Sequence, residues 1–79
     1  MLAEQYMALA DFLAHDGRLA EALSAYHQAL TLDPWNPYAH AAKALILRRL
    51  ERYDQARAAM MAASASVGFA LRQAHEPTR

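Results

Sequence analysis

The side chains of this chain most suited to chemistry are a carboxylate and an imidazole four residues apart, Asp11 and His15. On a helix this spacing brings both side chains to one face, where two ligands for a metal ion can meet. A zinc site needs three or four protein ligands, however, and His27, His40 and His75 fall on other predicted elements. We interpret the pair as a solvated surface pair and expect no metal.

The sequence has no pattern typical of a catalytic nucleophile or of a phosphate loop. Ser24, Ser64 and Ser66 lie in predicted helices or at their ends, away from any strand-to-helix elbow. Glycine occurs only twice and cysteine not at all, which excludes a glycine-rich loop, disulfides and thiolate metal sites. The sequence therefore predicts a protein that is not an enzyme and needs no cofactor.

Charge argues against nucleic acid as a partner. Eight basic and eight acidic residues cancel, so no overall field attracts a polyanion. The arginines between Arg48 and Arg57 are interrupted by Glu51 and Asp54. Such mixed charge is typical of a solvated helix face with pairs four residues apart.

Length and hydropathy predict one small soluble domain. The 79 residues are 56% hydrophobic, but much of this fraction is alanine, which contributes little buried area. No apolar run approaches the roughly 20 residues that span a bilayer, and the start, residues 1–4, lacks the features of a signal peptide. We expect a cytoplasmic protein without a membrane partner.

Hydrophobic residues recur at three- and four-residue spacing, which predicts helices, and no segment resembles a strand. The first two predicted helices are separated by Asp16-Gly17, where Gly17 is suited to a left-handed cap. Two prolines around Trp35 end the second helix, and Asn36 followed by Pro37 is a good start for the third. The predicted helices run from Ala3 to about His15, from about Leu19 to the stop at residues 33–37, from Pro37 to about Arg49 or Leu50, and from about Tyr53 to Ala65.

Two further expectations concern the second half of the chain. Glu51-Arg52 stands where the first half has its glycine, so a residue with a side chain must take the reversal, at a cost of up to roughly 1 kcal/mol. Gly68 is expected to end the fourth helix. A short fifth helix then covers residues 69–75 before a frayed tail, residues 76–79.

The chain repeats itself with a shift of about 34 residues, a period typical of helical repeats. The first unit places Tyr6, Leu9, Ala10, Leu13, Gly17, Leu19, Ala22, Tyr26, Ala29 and Pro34 in successive slots. The second unit fills the same slots with His40, Lys43, Ala44, Leu47, Glu51, Tyr53, Ala56, Met60, Ala63 and Gly68. Small residues such as Ala10 and Ala22 allow close helix approach, and large ones such as Tyr26 fill the gaps.

This pattern resembles the tetratricopeptide repeat. The first unit matches the family slot by slot, whereas His40, Lys43 and Gly68 depart from it in the second. The resemblance implies an all-α fold in which antiparallel helix pairs stack as a short right-handed solenoid. The implied division of the single domain, residues 1–79, is repeat one at about 3–36, repeat two at about 37–68 and a capping helix at about 69–76.

In this family the first helices of successive repeats line a concave groove that binds a peptide or helix of a partner protein. The positions carried over by register are Met7, Asp11, His15, Tyr38, Ala41, Ala42, Leu45, Arg48 and Arg49. The Lys and Asn clamp that holds chaperone tails in some members is replaced here by Met7, Asp11 and Ala42. We therefore expect an amphipathic or extended apolar segment, with an acidic group that meets the arginines.

The function predicted is that of an adaptor or chaperone-like module in a bacterial cytoplasm, similar to short tetratricopeptide chaperones of secretion systems. The alternative is a structural role, as a homo-oligomer such as a homodimer or as a piece of a longer solenoid. The last helix then either caps its own chain or swaps into another. Candidate residues for self-association are Met60, Met61, Val67, Phe69 and Leu71. Trp35 is either a packing residue against the start of the third helix or a binding hot spot.

Overall fold

A computed structural model describes residues 2–75 of the protein, apart from the side chains of residue 70 and of residues 73–75. Within this range the chain is helical and has no strand, which confirms the all-α fold class. Each helix packs against the next one along the chain. The predicted frayed tail, residues 76–79, lies outside the described residues. The helices are α1 (Ala3–His15), α2 (Leu19–Leu32), α3 (Pro37–Arg49) and α4 (Tyr53–His75).

The two helical hairpins reverse direction at equivalent positions. Gly17, between α1 and α2, has φ of 82°, and Glu51, between α3 and α4, has φ of 62°. These residues occupy the same slot of the repeat, and both are in the left-handed region that favours glycine. The prediction that Glu51 takes the reversal in the second hairpin is confirmed.

The link between the hairpins is a short loop closed by a helix cap. The Asn36 side-chain oxygen accepts a hydrogen bond from the backbone N–H of Ala39 at 3.0 Å, and Pro37 occupies the first turn of α3. The His40 ring donates from Nε2 to the Pro34 carbonyl at 2.8 Å. These bonds set the angle at which α3 leaves the loop and returns to pack on α2.

The core is built in two clusters that share four slots of the repeat. Ala10, Ala22 and Ala44 have no exposed surface, so the helices approach closely at these positions, as predicted. Ile46 of α3 joins the first cluster, and Leu23 of α2 touches both, so the two hairpins share a continuous core. The first cluster is Ala10, Leu13, Ala22, Ala25, Tyr26 and Ile46, and the second is Ala44, Leu47, Ala56 and Ala59.

The prediction for the end of the second hairpin is wrong. α4 continues from Tyr53 to His75 without a break, so residues 69–75 are not a separate fifth helix and Gly68 lies inside the helix. Glycine in a helix interior costs about 1 kcal/mol relative to alanine, which weakens a helix without ending it. Here the ring of Phe69, the next residue, stacks on Trp35 and offsets that cost.

The extra length of α4 carries it past the start of α3 to the loop between the hairpins. The Trp35 and Phe69 rings lie with their centroids 4.8 Å apart and their planes at 17°. The stacking partner of Trp35 is therefore a residue of α4, which neither sequence interpretation of this tryptophan included. Among the described helices, none has the length and apolar character needed to cross a membrane.

Candidate functional site

The face shared by α1 and α3 is held together by one carboxylate and two tyrosines. Asp11 of α1 accepts hydrogen bonds from the hydroxyls of Tyr26 of α2 and Tyr38 of α3, the latter at 3.2 Å to Oδ2. Burial and the bond to Asp11 raise the pKa of the Tyr26 hydroxyl, and the same two causes raise the pKa of the Tyr38 hydroxyl. Asp11 therefore fixes three helices relative to one another.

This network changes the interpretation of Asp11. The sequence suggested a local pair with His15, but the partners shown are tyrosines 15 and 27 residues away. The spacing of residues along α1 cannot predict that Asp11 bonds to tyrosines of other helices. The only available signal was the repeat register, which places Asp11 and Tyr38 on the same side of the two leading helices.

Met7 lies at the start of this face and is half-buried. The side-chain amide of Asn36 donates to the Met7 sulfur at 3.3 Å, while the same residue caps α3. Met7, Asp11 and Tyr38 are thus brought together by direct contacts between α1 and the beginning of α3, as the register predicted.

The other end of α3 carries a shallow pocket of about 380 Å³. Leu45, Arg48 and Arg49 line it, together with Tyr53 from the first turn of α4. Leu45 follows Tyr38 by seven residues and therefore lies on the same helix face, about two turns further on. The side chains of Tyr38 and Leu45 are 54% and 55% exposed, so both are accessible apolar surface.

Tyr53 was missed as a site residue. The sequence placed it in the apolar slot at the turn, where the first repeat has the partly buried Leu19, but Tyr53 is 61% exposed. A sign of its position was the short turn before α4, which keeps the first residues of α4 beside the last turn of α3. The resulting pocket combines aromatic and aliphatic carbon with two guanidinium groups.

The remaining predicted groove residues contribute less accessible surface. Ala41 and Ala42 are half-buried, and Ala42 packs against the first core cluster, so these two residues form the floor between Tyr38 and Leu45. His15 is exposed in the last turn of α1. No contact in the described part of the chain joins His15 to the arginines of α3.

The residues considered for self-association separate into two groups. Met60, Met61, Val67 and Leu71 expose between 45% and 67% of their surface along α4. Phe69 is instead half-buried against Trp35 of its own chain.

The groups accessible on the α1–α3 face are of the kinds that bind peptide segments. They are apolar side chains, two tyrosines and two arginines, and the carboxylate of Asp11 is occupied by tyrosine hydroxyls. Across the described residues, no group of three or more His, Asp or Glu side chains is close enough to hold a metal ion.

Comparison with known proteins gives one match. A family model described as tetratricopeptide repeat matches residues 13–74, which is most of the chain and spans α2, α3 and nearly all of α4. Neither the curated proteins nor the solved structures contain a match to this sequence.

Proposed function

Because the chain belongs to the tetratricopeptide repeat family, a family of protein–protein interaction modules, we propose that it is an adaptor or chaperone-like module that binds a peptide or helix of a partner protein on the α1–α3 face. The observation that carries this proposal is the exposed apolar line from Tyr38 to Leu45, which ends at the Arg48–Arg49 pocket. Tyrosine and arginine are enriched among binding hot spots, and the exposed Leu45 adds apolar area between them.

The chemistry of this face specifies the kind of segment that fits. An apolar side chain of the partner packs against Leu45 and Tyr53, while an acidic group bonds to a guanidinium of Arg48 or Arg49. Asp11 and Tyr38 hold the opposite end of the face in a fixed position, which lowers the entropy cost of binding. The proposed partner segment is therefore apolar with an acidic residue at one end, and the proposed location of the complex is the cytoplasm.

Quantitative co-purification from the native cell tests this proposal. Tagged wild-type protein and Leu45→Ala are compared with Leu32→Ala, a matched control whose leucine is 52% exposed on α2. We expect Leu45→Ala to reduce recovery of the partner about tenfold with unchanged helicity, as loss of one hot-spot side chain does. Leu32→Ala is expected to recover as much of the partner as the wild-type protein does.

Once a partner segment is identified, Arg48→Glu supplies the second test. Reversing this charge is expected to weaken binding of an acidic segment more than Leu45→Ala does. Added salt is expected to reduce the difference in affinity between the wild-type protein and Arg48→Glu. Equal recovery by wild type, Leu45→Ala and Arg48→Glu contradicts the proposal. Loss of folding in Leu45→Ala also contradicts the proposal, because it shows that the Leu45 side chain belongs to the core.

A further inference from the structure

A second pocket, of about 330 Å³, lies between α3 and α4. From α3 it is lined by His40, Lys43 and Leu47, which are three and four residues apart and therefore lie on one side of that helix. From α4 it is lined by a glutamine and three alanines. It shares no lining residue with the pocket at Arg48 and Arg49. This α3–α4 pocket is therefore a separate feature of the second hairpin.

The α3 side of the pocket contains two residues that depart from the repeat pattern. His40 and Lys43 stand in the slots that Tyr6 and Leu9 fill in the first repeat. Both departures replace a largely apolar side chain with one that carries nitrogen donors, and Lys43 adds a full positive charge. The departures thus bring donors and positive charge together at one place.

The α4 side differs from the first repeat in the same sense. Gln55 stands in the slot of Glu21, so a neutral amide replaces a carboxylate that would repel an anion. Ala62 stands in the slot of Gln28, and Ala58 stands in that of a serine. These two exchanges shorten polar side chains to a methyl group. The α4 wall is therefore both less acidic and more open than its counterpart in the first repeat.

The floor of the pocket is apolar and rigid. Leu47 is 2% exposed and Ala59 is 7% exposed, and both belong to the second core cluster. Side chains held by core packing keep their positions when a ligand arrives. An apolar floor with a few polar groups at its edge is the usual composition of a small-molecule site.

The charge of Lys43 is not balanced by the part of the chain that the structure describes. Lys43 is half-buried, and α3 contains no Asp or Glu. The one ion pair among the described residues joins Arg18 to Glu21, in the first hairpin. A partly desolvated ammonium group without a counter-ion costs free energy, which a bound anion offsets.

His40 forms a fixed wall beside Lys43. Its Nε2 donates a hydrogen bond to the Pro34 carbonyl at 2.8 Å, so the ring cannot turn away without losing this bond. The spacing of three residues brings His40 and Lys43 to the same side of α3. This wall is present before a ligand binds, which lowers the entropy cost of binding.

From these observations we propose that the α3–α4 pocket binds a small free carboxylic acid with an apolar tail, in its carboxylate form. The carboxylate accepts hydrogen bonds from the Lys43 ammonium group and from the side-chain amide of Gln55, while the tail lies on Leu47 and Ala59. The volume lies at the lower end of the range for small-molecule sites, about 300–1,000 Å³. A phosphate group is less suited to this pocket, because phosphate is typically held by arginines or by several backbone N–H groups.

A titration of the full chain with hexanoate, followed by NMR, tests the proposal. Lys43 is the only lysine in the sequence, so isotope-labelled lysine gives one side-chain signal that reports on this site. We expect this signal and the amide signals of Ala59 and Ala62 to shift with a dissociation constant of about 1 mM. Absence of a saturable shift at these residues overturns the proposal.

Two control ligands separate the charge from the tail. Hexanamide has the same tail without the charge, and acetate has the charge without most of the tail. Both are expected to bind about tenfold or more weakly than hexanoate, because each lacks one of the two interactions. Equal affinity for hexanoate and hexanamide overturns the assignment of a carboxylate to Lys43.

Two substitutions that restore residues of the first repeat test the lining. Lys43→Leu removes the charge, and Ala62→Gln fills the open wall. The same fold already accommodates Leu9 and Gln28 at these slots, and unchanged helicity verifies the folding of each variant. Each variant is expected to raise the dissociation constant of hexanoate about tenfold. Wild-type affinity in both variants overturns the proposal.

Two further variants distinguish this site from the α1–α3 face and from a general effect of charge. Arg48→Glu alters the face proposed to bind a partner protein and is expected to retain hexanoate binding at Lys43. Hexanoate shifts that are confined to residues around Leu45 and are lost in Arg48→Glu overturn the proposal. Arg57→Leu removes an exposed charge of α4 that does not line the pocket, and it is expected to retain wild-type affinity. A loss as large as that in Lys43→Leu indicates general charge attraction and overturns the proposal as well.

Discussion

At the scale of single residues, the structure depends on a few side chains in unusual environments. Glu51 has a positive φ that glycine adopts without cost, and Tyr26 is buried with its hydroxyl bonded to a carboxylate. Glu51 was identifiable from the sequence because it stands in the slot of Gly17. The bond between Tyr26 and Asp11 was not, because it joins two helices across a distance that periodicity does not describe.

Glu51→Gly is expected to stabilise the protein. Glycine removes the steric penalty at φ of 62°, which amounts to up to about 1 kcal/mol in the free energy of unfolding. Urea denaturation measures the change. Gly17→Ala is the reciprocal variant and is expected to destabilise by a similar amount, since an added Cβ there meets no neighbouring atom and only the backbone conformation opposes it. A decrease in stability for Glu51→Gly contradicts the prediction.

Tyr26→Phe is expected to alter the dependence of stability on pH. The pKa of Tyr26 is raised in the folded state, so its contribution to stability is complete below its ordinary pKa of 10.0 and is lost as the pH rises above that value. The variant loses about 1 kcal/mol at neutral pH with the hydrogen bond, and its stability falls less steeply above pH 10. Urea denaturation at pH 8 and at pH 11 measures the free energy of unfolding of both proteins. An equal change in that free energy between the two pH values contradicts the assignment of the raised pKa to Tyr26.

At the scale of elements, the length of α4 is the main feature that the sequence did not predict. The helix continues through Gly68 to His75, although glycine at this position resembled a stop signal. The stack of Phe69 on Trp35, a contact between α4 and the loop between the hairpins, compensates for the low helix propensity of Gly68. A tertiary contact of this kind outweighs local propensity, which is worth about 1 kcal/mol.

Phe69→Ala is expected to loosen the end of α4. Loss of the stack removes about 0.5–1.5 kcal/mol beyond the buried area and exposes the stacked face of Trp35, the only tryptophan in the sequence, which is already 52% exposed. Tryptophan fluorescence is expected to shift to longer wavelength, and amide exchange is expected to speed up in residues 69–75 while residues 53–65 remain protected. Leu71→Ala, at a side chain that is 56% exposed, is the control and leaves both signals unchanged.

At the scale of the whole molecule, two hairpins stack through a narrow apolar contact. Ile46 of the second hairpin enters the core of the first, and Leu23 of the first touches the core of the second. Stability of the whole chain therefore depends strongly on this joint.

Ile46→Ala is expected to destabilise the chain by about 2–5 kcal/mol, because it leaves a cavity between the hairpins. The neighbouring Leu45→Ala is the matched control. Leu45 is 55% exposed, so its removal is expected to change the free energy of unfolding by no more than about 0.5 kcal/mol. Urea denaturation of both variants measures the difference. Similar losses in the two proteins contradict the assignment of Ile46 to the core and of Leu45 to the binding face.

The sequence alone determined where each of the four helices begins, the two reversals and the repeat register, because each depends on local periodicity, on caps or on a residue's backbone preference; it did not determine where α4 ends. It also placed Tyr38 and Leu45 on one face of α3, since positions seven apart coincide on a helix. Only the tertiary structure decided that Asp11 bonds to two tyrosines, that Trp35 meets Phe69, and that Tyr53 joins the arginine pocket. Each of these depends on how separate helices approach one another, and that approach is set by packing between residues distant in the chain.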